Sequence, residues 1–194
     1  MRGSMSIKDL IKVRITARFN KVIEEKSLEE VIEFFEKNKN SINLGQSYLH
    51  AVKCGRTDVV KWLLSFYKGY KYISYEEYPV YDLIISCKED DKYLDMLRIL
   101  LSINALRMID TVAYLNIAYC NNKKVYDFFK ENGAIFDKFI LYEMSMAARK
   151  RGFTEMADFF LEERKVAPND SFARRVATSG LNFDKKLDDY SFNF

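Results

Sequence analysis

Histidine occurs once, proline twice, cysteine three times and glycine seven times in 194 residues. With a single His, no nucleophile elbow, no Gly-rich phosphate loop and no paired-Cys motif, the familiar routes to nucleophilic, metal and phosphoryl chemistry lack their parts. No catalytic residue, cofactor or metal ligand is therefore expected. Carboxylate pairs such as Glu76 and Glu77, Asp90 and Asp91, or Asp188 and Asp189 read as solvated loop charges. No apolar run approaches the ~20 residues that a membrane span needs, and no apolar stretch follows the basic start as a secretory signal requires. A cytoplasmic or nuclear chain without a membrane partner is expected. Residues 1–4, followed by a second methionine at Met5, read as an expression leader. The formal charge of +3 includes Arg2 of that leader. A balance so near neutral supplies no long-range field to draw the chain onto nucleic acid.

What the sequence does contain is an internal repeat, the feature to be sought before any motif. Cys54, Cys87 and Cys120 follow one another at intervals of 33 residues, and Tyr48, Tyr81 and Tyr114 keep the same spacing six residues earlier. Small or apolar pairs lie between them: Ala51 and Val52, Ile84 and Ile85, Ile117 and Ala118; a fourth copy supplies Met144, Ala147 and Ala148. Each copy is followed by a second apolar block: DVVKWLLS from Asp58, DMLRILLS from Asp95, KVYDFFKENGA from Lys124 and EMADFFLE from Glu155. An earlier block, LEEVIEFFEKN from Leu28, shares the pattern. Apolar residues recur at helical spacing in all of them. Ser27 and Glu30 form a capping-box signature, and Thr57 and Thr154 are candidate N-caps. Residues 7–25 predict a further helix with Ile11, Ile15, Phe19, Val22 and Ile23 on its apolar face. Trp62, Leu63, Leu100, Phe129 and Phe160 are expected in one core.

Each unit thus reads as a short helix, a turn, a second helix and a connecting loop. In this the chain resembles the ankyrin-repeat family, above all in YLHAVKCGRTDVVKWLLS, residues 48–65, with Gly55 at the inter-helix turn, and next in VYDFFKENGAIFD. It resembles the divergent ankyrin-like arrays of large DNA viruses and intracellular parasites, where such proteins often capture host proteins. The resemblance implies an all-α helical-hairpin solenoid of about five repeats with atypical terminal caps. Residues 5–194 would form a single domain with units near 7–43, 44–79, 80–110, 111–140 and 141–168, and a partial cap at 169–194. The family's Thr-Pro helix start is missing, turn glycines are absent from the second and third copies, and about four extra residues fall around Glu89 to Lys92, so some connections are expected to be plain loops rather than regular β-hairpin fingers. A two-helix unit cannot bury its apolar faces alone, and stacking joins those faces into one core.

The same register keeps the cysteines about 10 Å apart, too far for a disulfide or a shared zinc ion, so they read as structural thiols. The resemblance implies a partner face on the first helices and adjoining loops, which carries over to His50, Lys53, Ser86, Tyr119 and Arg149. Residues 66–81, FYKGYKYISYEEYPVY, hold six tyrosines, and rigid amphipathic rings on a loop make binding anchors. Tyr70, Tyr72 and Tyr75, with Lys53 and Tyr119, are therefore expected to form the surface for an unidentified protein partner. The simpler reading of these tyrosines is packing over neighbouring units. A nucleic-acid-binding solenoid is the alternative function. It would use the Tyr/Lys loop and a C-terminal basic cluster of Arg149, Lys150, Arg151, Arg164, Lys165, Arg174 and Arg175.

Overall fold

The computed structural model describes residues 6–73, 78–88, 90–103 and 111–169. Among the described residues the chain is all-helical, without a strand. Its helices are α1 (Ile7–Glu25), α2 (Leu28–Asn38), α3 (Leu44–Lys53), α4 (Thr57–Phe66), α5 (Val80–Ser86), α6 (Lys92–Ser102), α7 (Thr111–Cys120), α8 (Lys123–Glu131), α9 (Lys138–Lys150) and α10 (Thr154–Val166). None of them is long and apolar enough to cross a membrane. Where the sequence suggests one domain, the elements gather into two compact units, Met1–Arg107 and Met108–Phe194. The expected cap beyond Asn169 and the insertion residue Glu89 lie outside the described residues.

Local chemistry explains where the helices start. Ser6 with Asp9, and Ser27 with Glu30, form complete capping boxes at α1 and α2, each Ser oxygen accepting from the backbone N–H three residues on. Asn43, Asn122 and Asp137 cap α3, α8 and α9 with their side chains. The expected caps Thr57 and Thr154 are corrected: both are the first helical residues, and Arg56 and Phe153 occupy the cap positions without a side-chain cap bond. The reason is the turn before them. Gly55 and Gly152 have φ of 67° and 81°, the left-handed region that Gly enters without a Cβ penalty. This lets the N–H of Arg56 donate to the Ala51 carbonyl, and that of Phe153 to the Ala148 carbonyl, each at 3.0 Å. Asn121, at φ 51°, turns the chain between α7 and α8, so the third copy replaces its missing glycine with the residue that best tolerates this conformation.

In the first unit α1 packs on α2 and α3, α2 and α6 pack on α4, and α5 packs on α6. The α1–α3 seam is polar and keeps a strict register. Thr16 Oγ1 accepts from the Asn43 N–H at 2.9 Å, and Asn20 Oδ1 accepts from Ser47 Oγ at 2.8 Å. Thr16 and Ser47 are buried, so this register is paid for by satisfied polar groups rather than apolar area. The paired positions advance together along both chains, so α1 and α3 run parallel. On the other side the Phe19 ring stacks on Phe34 and tilts against Phe35, and Phe35 meets the Trp62 ring edge-on with centroids 5.2 Å apart.

The seam also corrects the expected apolar face of α1. Phe19 and Ile23 are buried, but Ile15 and Val22 are only half-buried and Ile11 is exposed, because Thr16 faces inward with Phe19 and Ile23. Leu63 and Leu100 are buried in the first unit and Phe129 and Phe160 in the second, rather than shown in one shared core, whereas Trp62 is half-buried, edge-packed between Phe35 and Phe66. Ile84 is buried but its neighbour Ile85, about 100° further round α5, is exposed.

In the second unit α9 packs on α7 and α10. Buried Tyr126 centres an aromatic cluster, with Phe136, Phe159 and Phe160 at 4.5, 5.2 and 5.7 Å. Its hydroxyl donates to Glu163 at 2.9 Å, and Lys130 pairs with the same carboxylate.

Candidate functional site

The Tyr-rich segment divides between packing and display. After α4 the chain makes a 3-10 turn at Gly69–Tyr72. Within it Tyr70 is half-buried, its ring 6.3 Å from that of Tyr48 and its carbonyl accepting from the Tyr78 hydroxyl at 3.2 Å. Tyr67 and Tyr78 complete a ring of phenols around Tyr48, which is fully buried. Tyr72 points the other way and is 91% exposed, while Tyr75 lies outside the described residues. Lys53 is exposed at the end of α3. Ser86 turns its hydroxyl back onto the Asp82 carbonyl of its own helix at 2.8 Å.

Tyr119 and Arg149 meet at one place in the second unit. They line a cleft of about 530 Å³ between α7 and α9, together with Leu115, Glu143, Met146 and Lys150. Arg151 lays its guanidinium 4.7 Å from the Tyr119 ring centroid, and Arg149 pairs with Asp158 at 2.8 Å. Beside the cleft, Phe139, Tyr142 and Met146 are all exposed on α9. Their spacing puts them on one stripe of the helix, opposite the buried Ile140, Leu141, Met144 and Ala148. These three were missed, although a helix apolar on two faces is a legible signal.

His50 belongs to a different group. On the next turn of the α1–α3 seam, beyond Asn20 and Ser47, Glu24 faces His50 and Cys54. His50 Nε2 lies 3.0 Å from Glu24 Oε1, Cys54 Sγ lies 3.6 Å from His50 Nε2, and the thiol is 3.8 Å from Glu24 Oε1. Burial first, and then the Glu24 carboxylate, push the Cys54 thiol up from its ordinary value. That is the opposite of the lowered thiol an activated nucleophile needs. Cys87 and Cys120 are buried, and burial pushes the Cys120 thiol up to about 11. His50 and Cys54 sit four residues apart on one helix face, a pattern visible in the sequence; Glu24 is not, because only the packing of α1 on α3 brings it there. No family model matches the chain, and no curated protein or solved structure matches it either.

Proposed function

We propose that the chain is a non-enzymatic protein-interaction module built of ankyrin-like helical repeats, which holds an intracellular protein partner on its first-helix face. The repeat reading is supported by the like turns at Gly55 and Gly152, by the parallel run of α1 and α3, and by the burial of Ala51, Ile84 and Ile117 at intervals of 33 residues. The observation that carries the binding reading is the exposed stripe of Phe139, Tyr142 and Met146 beside the Tyr119–Arg149 cleft. Contiguous exposed apolar groups with polar neighbours mark interaction surfaces, and aromatic and Met side chains are favoured at their centres. In the first unit, exposed Tyr72 and Lys53 would add contacts of the same kind.

The nucleic-acid reading is less well supported. Arg149 is paired with Asp158, Lys165 with Glu162, and Arg164 spans the Lys138 carbonyl and the Tyr142 ring. Arg174 and Arg175 lie outside the described residues. A photo-crosslinking residue placed at position 142 or 146 in native or host extract should yield one discrete protein adduct, and the same residue at Glu162 should not. Met146→Asp should then weaken the captured partner at least tenfold while keeping the helical spectrum. Equal adducts from position 162, or affinity that falls with the steep salt dependence of phosphate contacts, would overturn the reading.

A further inference from the structure

We propose that Glu24, His50 and Cys54 bind a zinc-class divalent ion through three protein donors, with the fourth position open to solvent. The inference is independent of the partner reading, since no residue is shared with the α9 stripe. Zinc held tetrahedrally at bonds of about 2.0–2.3 Å separates its donors by roughly 3.4 Å for nitrogen to oxygen and roughly 3.6 Å for either to sulfur. The corresponding separations here are 3.0 Å for His50 to Glu24, 3.6 Å for His50 to Cys54 and 3.8 Å for Cys54 to Glu24. The three donor atoms therefore already outline one face of such a tetrahedron, and shifts of a few tenths of an ångström complete it. An ion pair with a nearby thiol would need no such convergence of all three.

The scaffold fixes the donors in place. His50 and Cys54 come from successive turns of α3, the second at its C-cap, and Glu24 comes from the last turn of α1. The Thr16–Asn43 and Asn20–Ser47 hydrogen bonds hold those two helices in register. Arg56 clamps the end of α1 on either side of Glu24 by donating to the Ile23 and Lys26 carbonyls. Glu24 is half-exposed and His50 a quarter exposed, so an ion can enter from solvent and keep a water there.

Donor chemistry selects the metal. A thiolate and an imidazole suit zinc, cobalt and their neighbours, whereas magnesium and calcium demand oxygen ligands. On binding, the Cys54 S–H releases its proton to solvent as the metal–sulfur bond forms, and the imidazole nitrogen and carboxylate oxygen displace waters from the ion. The thiolate and the carboxylate together neutralise the two positive charges. Of the two nearby lysines, Lys92 is paired with Asp90 at 3.3 Å and Lys53 is exposed.

Cobalt(II) titration of the untagged, reduced full chain tests the proposal. One equivalent should give a thiolate-to-cobalt charge-transfer band, which zinc then removes. Cys54→Ser should abolish the band, Cys87→Ser and Cys120→Ser should keep it, and Glu24→Gln should weaken binding at least tenfold. Because His50 is the sole histidine, its ring nitrogens can be read without ambiguity by long-range proton–nitrogen NMR of the unaltered chain, and zinc should move the Nε2 signal. This readout decides the matter even if Cys54→Ser fails to fold. The absence of a charge-transfer band, its survival in folded Cys54→Ser, or an imidazole signal that zinc leaves unmoved would overturn the assignment.

Discussion

Arg56 is bound to Lys26 across 30 residues of chain: its guanidinium donates to the Lys26 carbonyl at 2.9 Å, and the same nitrogen reaches the Ile23 carbonyl. These are carbonyls at the C-terminal end of α1, which lack intrahelical partners and favour a cation. The other edge of the guanidinium forks onto Asp58 at 3.0 and 2.7 Å. Arg56→Ala should cost about 1.5–3 kcal/mol in urea unfolding, the range for hydrogen bonds to charged groups. Arg56→Lys should recover only part, because an ammonium lacks the planar fork.

A second prediction concerns acid stability. The Lys130 ammonium, and then the Tyr126 hydroxyl, hold the Glu163 carboxyl below its ordinary value. Since its pKa is lower folded than unfolded, Glu163 stabilises the fold in full above the ordinary carboxylate range and loses that contribution as pH falls through the depressed native value. Asp58, held down chiefly by its hydrogen bonds from Arg56, behaves in the same sense. Tyr126→Phe should lower stability at neutral pH by about 1–2 kcal/mol and flatten the acid limb of a stability–pH profile measured by denaturant. A variant as acid-sensitive as the parent would show that the Tyr126–Glu163 bond contributes nothing.

A third concerns Tyr48. Its hydroxyl is buried with no hydrogen bond of good geometry among the described residues, Tyr78 offering at most a loose contact, and burial, then Tyr78, push its ionisation far up. An unsatisfied buried hydroxyl costs about 1–3 kcal/mol, so Tyr48→Phe, which keeps the ring among Tyr67, Tyr70 and Tyr78, should be neutral or raise the melting temperature. A clear loss of stability would mean that the phenol oxygen is satisfied in solution.

Helix content and the inward-facing register of the repeat were legible because a period of 33 residues superposes several weak signals, as Ala51, Ile84 and Ile117 all turning inward shows. The caps were legible where Ser precedes an acidic residue by three, at Ser27, and misleading at Thr57 and Thr154, where a left-handed glycine sets the boundary instead. The face of α1 was misjudged because hydrophobicity alone cannot report that Thr16 and Asn20 have polar partners 27 residues away. For the same reason Glu24 stayed hidden. Surface charge on a helix is ordinary until packing sets another helix's donors against it. Tyr70 was singled out for its composition, but its ring packs on Tyr48; Tyr72 alone of the described pair has the exposure that display requires.

The edge-on contact of Trp62 with Phe35 and Phe66 makes the sole indole of the chain a private witness of the first unit. Its emission follows the loosening of α2 against α4, whereas the helical ellipticity sums over both units. A denaturant titration watched by both signals therefore measures cooperativity directly. Coincident curves mean that the two units melt as one, and a fluorescence midpoint displaced from the ellipticity midpoint means that each unfolds on its own terms.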